Sequence, residues 1–111
     1  MRRAKIYYND VLAGILTETD DGEYRFQYEK TYVQNYPDQF LTFTMPVMNQ
    51  VFVSNRLFPF FEGLIPEGWL LEIASKSWKI SRNDRMGLLL ACCQNCIGAV
   101  SVKPLVDESN E

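Results

Sequence analysis

The pattern that decides the fold appears first in the stretch AKIYYNDVLAGIL, residues 4–16. Apolar residues recur with a period of two on both sides of Asn9 and Asp10. Asparagine and aspartate tolerate the left-handed backbone conformation that a two-residue hairpin turn requires. The sequence therefore predicts two antiparallel strands, residues 4–8 and 11–16, joined by a tight turn.

Three further segments downstream read as strands. Residues 20–22, Asp-Asp-Gly, predict the next turn, and residues 23–28 then alternate strictly, which places their three aromatic side chains on one face. Residues 41–45 alternate again and end at Pro46, because proline cannot donate to a strand ladder. Leu41, Phe43 and Met45 would lie together on one face of this strand, with the two threonines on the other. Residues 98–102, Gly-Ala-Val-Ser-Val, predict a closing strand.

The region between the fourth and fifth predicted strands is helical in pattern. Ser54 is a candidate cap for a short helix over residues 56–62, in which Pro59 has to lie within the first turn. Pro66 suits the first turn of a second helix that runs to about residue 79. Residues 81–84 have capping-box spacing and predict a third helix, which ends near Cys92. Antiparallel strands followed by helices and a last strand indicate an α+β fold.

Length and composition limit the function classes. The 111 residues suffice for one domain, and the apolar fraction of 47% favours a folded core. The formal charge of −3 argues against an electrostatic nucleic-acid binder, and no run of about 18 apolar residues suggests a membrane span. Three cysteines bunched within residues 92–96 suit a reducing compartment. We expect a cytoplasmic protein.

Residues that could carry out catalysis are scarce. Histidine is absent, which removes the commonest general base and the commonest metal ligand. Cys93 and Cys96 have redox spacing but fall at the predicted end of a helix, so they are either small core residues or a redox or metal site. Glu62, Glu67 and Glu72 are either solvated charges or a carboxylate pair. We expect no catalytic residue, no metal and no cofactor.

The stretch FFEGLIPEGW, residues 60–69, is the strongest functional signal. Two aromatic residues, two glycines, a proline and a tryptophan crowd the entrance of the second predicted helix, and such glycines lower order without adding to a core. Trp69 lies at the edge of the apolar arc of that helix. It can fold back onto the core, or it can project as an anchor for a partner's pocket.

Several motifs in this order resemble the N-terminal subdomain of HipA-like serine/threonine kinases. They are AGIL (13–16), FTMPV (43–47), FFEGLIPEG (60–68), and LLL (88–90) leading to CIGAV (96–100). The similarity runs from about Lys5 to Pro104. It implies a small, strongly curved antiparallel sheet, partly barrel-like, packed with two or three helices. The chain departs from the family pattern at residues 93–95, where relatives tend to have glycine and an acidic residue.

The resemblance also suggests a function. HipA-like toxins continue into a large kinase domain, whereas this sequence starts with methionine and stops soon after Pro104, so we expect one domain over residues 1–104 and a short acidic tail over 105–111. A freestanding protein of this kind resembles HipS, the separate subunit of bacterial tripartite HipBST toxin–antitoxin systems. Its partners would then be a HipT-like kinase toxin and a HipB-like DNA-binding protein, without direct nucleic-acid or membrane contact.

In this interpretation the protein is an antitoxin that inhibits the kinase through the Gly63–Trp69 segment. The residues expected to contact the partner are Phe61, Gly63, Leu64, Ile65, Pro66, Glu67, Gly68 and Trp69. The protein would either block the active site through this segment or hold the kinase lobes in an inactive arrangement from outside. The alternatives are a structural subunit that completes or supports the kinase without inhibiting it, and an interaction module with no kinase partner.

Overall fold

The computed structural model describes residues 1–65, 81, 83–92 and 99–105. These residues form an α+β domain with a five-stranded antiparallel sheet and three helices, which confirms the fold class. In chain order the elements are β1 (Arg2–Tyr8), β2 (Val11–Glu18), β3 (Tyr24–Tyr28), α1 (Lys30–Asn35), β4 (Phe52–Ser54), α2 (Pro59–Glu62), α3 (Arg85–Cys92) and β5 (Val100–Pro104).

The strands lie in the order β4-β3-β2-β1-β5. The first four strands of the chain form a meander, and β5 returns to pair with β1, so that Ala4 lies opposite Pro104. One further hydrogen bond, from the Leu105 amide to the Arg3 carbonyl, extends this pairing. The sheet is not closed into a barrel.

Both predicted turns are present. Asn9 and Asp10 have positive φ angles of 51° and 66°, and Tyr8 pairs with Val11 across the turn, as the hairpin pattern indicated. Gly22 has a φ of 85°, and its amide donates to the Thr19 carbonyl at 3.0 Å. The alternation of β3 is also confirmed, because its three aromatic side chains are buried and the two residues between them are exposed.

The core lies between the inner face of the sheet and the helices. From the strands it takes Ala4, Ile6, Ala13, Leu16, Tyr24, Phe26, Tyr28 and Val102; from the helices and loops it takes Tyr32, Met45, Leu57, Phe58, Phe61, Ile65, Met86, Leu88 and Leu89. Aromatic rings meet at its centre: Phe26 contacts Tyr28 edge-on at 4.9 Å, and Tyr28 stacks on Tyr32 at 5.8 Å. Burial of these large side chains stabilises the domain.

The predicted strand over residues 41–45 is wrong. The Met45 amide donates to the Thr42 carbonyl at 3.0 Å, which makes a tight turn instead of a strand. Met45 is buried and Leu41 half-buried, but Phe43 at the tip of the turn is 88% exposed. An alternating pattern over five residues does not produce a strand here, because the Met45 amide bonds to a carbonyl group of the same segment. The sequence interpretation also missed two elements, α1 and β4.

Two of the three predicted helices fall within the described residues, and both begin later than expected. Pro59 lies in the first turn of α2, as predicted, but the Ser54 hydroxyl accepts from the Arg56 amide and does not cap this helix. Asp84, not Ser81, caps α3, because its carboxylate accepts from the Gly87 amide at 3.1 Å. The predicted helix over residues 66–79 lies outside the described residues.

Arg2 ties the first strand to the third helix. Its guanidinium donates to Glu18 at 2.7 Å and to both carboxylate oxygens of Asp84, the nearer at 2.6 Å. The Tyr24 hydroxyl donates to the other oxygen of Glu18 at 2.9 Å. The hydrogen bonds from Arg2 hold the pKa of Asp84 below its ordinary value. Burial, together with the Glu18 carboxylate, raises the pKa of Tyr24 to about 12.

Candidate partner-binding surface

Helix α2 carries the first part of the glycine-rich stretch and fixes it to the core through Phe61. This side chain is fully buried and lies 5.7 Å, between ring centroids, from Phe26 on the sheet. Its neighbours Phe58 and Phe60 both contact it edge-on. Ile65, four residues later, is also buried. Phe61 and Ile65 therefore support the stretch from beneath and offer no free surface in this structure.

Gly63 and Leu64 are the described residues of the Gly63–Trp69 segment that reach the surface. Gly63 is exposed, and its φ of −66° is one that any residue adopts. Among the described residues, a Cβ atom built at this position would meet two carbonyl oxygens, of Pro59 and Phe60, at an ordinary 3.5 Å. Leu64 is half-buried against the core. The described fold therefore gives no steric or backbone reason for a glycine at position 63.

An ion pair holds the end of α2 immediately before Gly63. The Glu62 carboxylate accepts from the Arg85 guanidinium, with the shortest N–O distance at 2.7 Å. The Glu62 carboxylate is thus paired with the Arg85 side chain, and among the described residues this pair joins α2 to α3. The other two glutamates of the carboxylate hypothesis, Glu67 and Glu72, lie outside the described residues.

The remaining predicted contact residues lie outside the described residues too. They are Pro66, Glu67, Gly68 and Trp69. The choice between a buried and a projecting Trp69 therefore stays a prediction. The same holds for Cys93 and Cys96. Within the described ranges no group of three or more histidine, cysteine or acidic side chains could hold a metal ion. No helix in those ranges is long and apolar enough to cross a membrane.

An exposed aromatic pair lies in the loop before β4 and was not predicted. Phe40 and Phe43 have ring centroids 5.0 Å apart, and Phe43 was expected only on the apolar face of a strand. One signal was available: Pro37 and Pro46 bracket the segment, and prolines at both ends are more typical of a turn-rich loop than of an inner strand.

Known proteins place the chain in a family. Residues 4–103 match the family model described as the HipA N-terminal domain. A protein of Haemophilus influenzae (strain Rd), described only as uncharacterized, is 32% identical over 103 residues, or 93% of this chain and 92% of the relative. The solved structure described as the N-terminal domain of HipA toxin has a TM-score of 0.74 at 26% identity and covers 97% of this chain and 96% of that one. The chain belongs to the HipA N-terminal domain family.

Proposed function

We propose that this protein is an antitoxin that binds a HipA-family, HipT-like serine/threonine kinase toxin and neutralises it by protein–protein contact. The contact surface is the Gly63–Trp69 segment, placed near the kinase active site. The observation that carries this proposal is Gly63, which is exposed although the described fold does not require glycine there. A glycine without a structural role in its own chain fits a site where another backbone or side chain approaches closely.

The family supports the choice of partner. The similar solved structure is described as a domain of the HipA toxin, so a surface complementary to the rest of such a toxin is expected on this fold. We propose that residues 1–104 meet the kinase as one domain with residues 105–111 as an acidic tail. In this proposal the protein works in the cytoplasm by binding, without catalysis, and a HipB-like DNA-binding protein completes a ternary complex.

Co-expression with a HipT-like kinase from the same genome tests the proposal. The kinase alone should arrest growth of the host, and the kinase with this protein should not. Both proteins should then purify together on a tag placed on the kinase. Growth arrest that persists when the two proteins co-purify would contradict an antitoxin role, and the absence of any complex would contradict kinase binding altogether.

A structural subunit is the second candidate function. It is favoured by one observation, that a similar fold occurs as a domain of the toxin itself and so is compatible with an active kinase. Mixing the purified proteins separates the two functions, because an antitoxin lowers the rate of kinase autophosphorylation and a supporting subunit raises or preserves it.

The mechanism of inhibition can be resolved in the same assay. If the segment occupies the active site, raising the concentration of ATP or substrate should relieve inhibition. If the protein holds the kinase lobes in an inactive arrangement from outside, inhibition should not depend on either concentration.

A further inference from the structure

The loop between α1 and β4 presents a second candidate contact surface. We propose that Phe43, supported by Phe40, inserts as an anchor into an uncharged apolar pocket on the kinase, in addition to the contact made by the Gly63–Trp69 segment. This inference rests on the proposed function, since it names a second surface for the same partner.

Tyr28 fixes the turn that carries Phe43. The hydroxyl of Tyr28 donates to the Met45 carbonyl at 2.5 Å and accepts from the Leu41 amide at 3.1 Å, so one buried group fastens both ends of the turn. The Met45 side chain is itself buried, and the Met45 amide closes the turn on the Thr42 carbonyl. Phe43 therefore lies at the tip of a turn that is attached to the hydrophobic core of this protein. Because the turn is already ordered, less conformational entropy is lost on binding.

The exposure of Phe43 has no counterpart among its neighbours. At 88% exposed, it is the most exposed large hydrophobic side chain in the described part of the chain, and Phe40 beside it is 36% exposed. Exposing a phenyl ring to water costs free energy in proportion to the apolar area that stays unburied. Aromatic side chains held in this way are typical of the anchors that dominate protein–protein interfaces.

The composition of the loop indicates the chemistry of the pocket. Residues 37–51 contain a single charged residue, Asp38, so the loop itself carries no cation for an anionic partner. The centre of a protein interface is depleted of charge in the same way. The matching surface is therefore an apolar, uncharged pocket that admits an aromatic ring.

The size of the pair argues against a second copy of this chain as the occupant. Two phenyl rings bury roughly 200 Å² each, whereas a stable interface needs about 800 Å² per partner. The pair is thus too small to hold a dimer but suits an anchor within a larger interface.

Calorimetric titration of the kinase with matched variants tests the inference. Phe43→Ala should raise the Kd about 10- to 100-fold, while the circular-dichroism melting temperature stays that of the wild type. Val53→Ala is the control, because Val53 is also an exposed apolar side chain, 56% exposed on β4, but lies outside the turn. It should leave the Kd within about twofold of wild type.

The results distinguish failure of the Phe43 anchor from failure of the proposed function. If Phe43→Ala binds like wild type while Gly63→Ala binds weakly, the anchor is refuted and the proposed function stands. If wild type does not bind the kinase, both are refuted. Sedimentation velocity of the protein alone completes the test: a dimer that Phe43→Ala dissociates would identify a second copy as the occupant and overturn the inference.

Discussion

The Arg85 guanidinium donates hydrogen bonds of 2.7 to 3.1 Å to both oxygens of the Glu62 carboxylate. The pair bridges 23 residues of sequence and joins the beginning of α3 to the last residue of α2, next to Gly63. Both side chains are about one third exposed. Solvent weakens the pair, so its main effect is to orient the end of α2.

Replacement of Arg85 tests this role. We expect Arg85→Gln to lower the free energy of unfolding by about 1 kcal/mol, because the bidentate pair is lost at a site that solvent only partly screens. Urea titration of Arg85→Gln, Glu62→Gln and the double variant measures the coupling between the two side chains. A coupling energy near zero would show that the pair does not contribute to stability.

Gly63→Ala should separate stability from binding. The new methyl group meets only ordinary contacts at 3.5 Å, and alanine restricts the unfolded chain more than glycine does. We expect the free energy of unfolding to stay the same or to rise by about 0.5 kcal/mol, while binding to the kinase weakens. Lost stability would mean that glycine serves the fold, and unchanged binding would contradict close approach of the partner at this position.

Gly14→Ala should damage the fold itself. Gly14 is buried on β2, where an added Cβ would lie 2.5 Å from the Gln27 carbonyl oxygen and 2.7 Å from the Phe26 ring. We expect a loss of about 2 to 4 kcal/mol, since the neighbouring strand and a core aromatic ring would both have to move. Gly22→Ala is the control: it adds a methyl group in open space and incurs only the strain of a positive φ, about 1 kcal/mol. Equal losses would refute the steric explanation.

The stability contributed by Asp84 should depend on pH in the acid range. Because Arg2 lowers the pKa of Asp84 in the folded state, this contribution is present above the unfolded pKa of about 3.9 and is lost as pH falls through the lower folded value. Asp84→Asn keeps an oxygen for the Gly87 amide but removes the charge. We expect it to be about 1 kcal/mol less stable than wild type at pH 7.

That difference should shrink as pH falls from about 3.9 through the lower folded pKa of Asp84, as measured by urea unfolding at a series of pH values. Asp20→Asn is the matched control, because the Asp20 carboxylate also pairs with a cation, the N-terminal amine, but is 80% exposed. A difference between Asp84→Asn and wild type that stays constant with pH would contradict the role of the charge.

Tyrosine ionisation should destabilise the protein in alkali. Burial raises the pKa of Tyr24 and Tyr32 to about 12, so the fold favours their neutral phenols. This contribution is present below the unfolded pKa of about 10 and is lost as pH rises from there through 12. We expect Tyr24→Phe to lose less stability over that interval than wild type, as followed by ultraviolet absorbance and circular dichroism. An equal loss would contradict a raised pKa at Tyr24.

The sequence predicts those parts of the fold whose signal is local. The hairpin follows from Asn9 and Asp10, the buried face of β3 from strict alternation, and the start of α2 from Pro59. The strand over residues 41–45 failed because the Tyr28 hydroxyl, more than ten residues away in sequence, holds that backbone in a turn. A prediction from the local pattern of residues 41–45 cannot include a contact with a residue this far away in sequence.

The candidate site was predictable only in outline. The unusual density of glycine and aromatic residues marks residues 60–69, but burial divides the described part of that stretch into supports, such as Phe61, and surface residues, such as Gly63. The N-terminal cap of α3 was predicted within residues 81–84 from capping-box spacing, but Asp84 forms it in place of Ser81. The reason is related, because the Asp84 carboxylate also binds Arg2 of the first strand. Long-range ion pairs of this kind decide between local alternatives.

The place of β5 beside β1 has a consequence for biosynthesis. Strands β1 to β4 are neighbours in the order in which they are made, whereas β1 keeps a free edge until residues 100–104 have been synthesised. During translation, therefore, the first strand to leave the ribosome is the last to be fully paired, and its seven residues can template misassociation in the interval. A chain interrupted before Val100 would retain that exposed edge permanently, so loss of the C-terminal strand should favour aggregation of the domain.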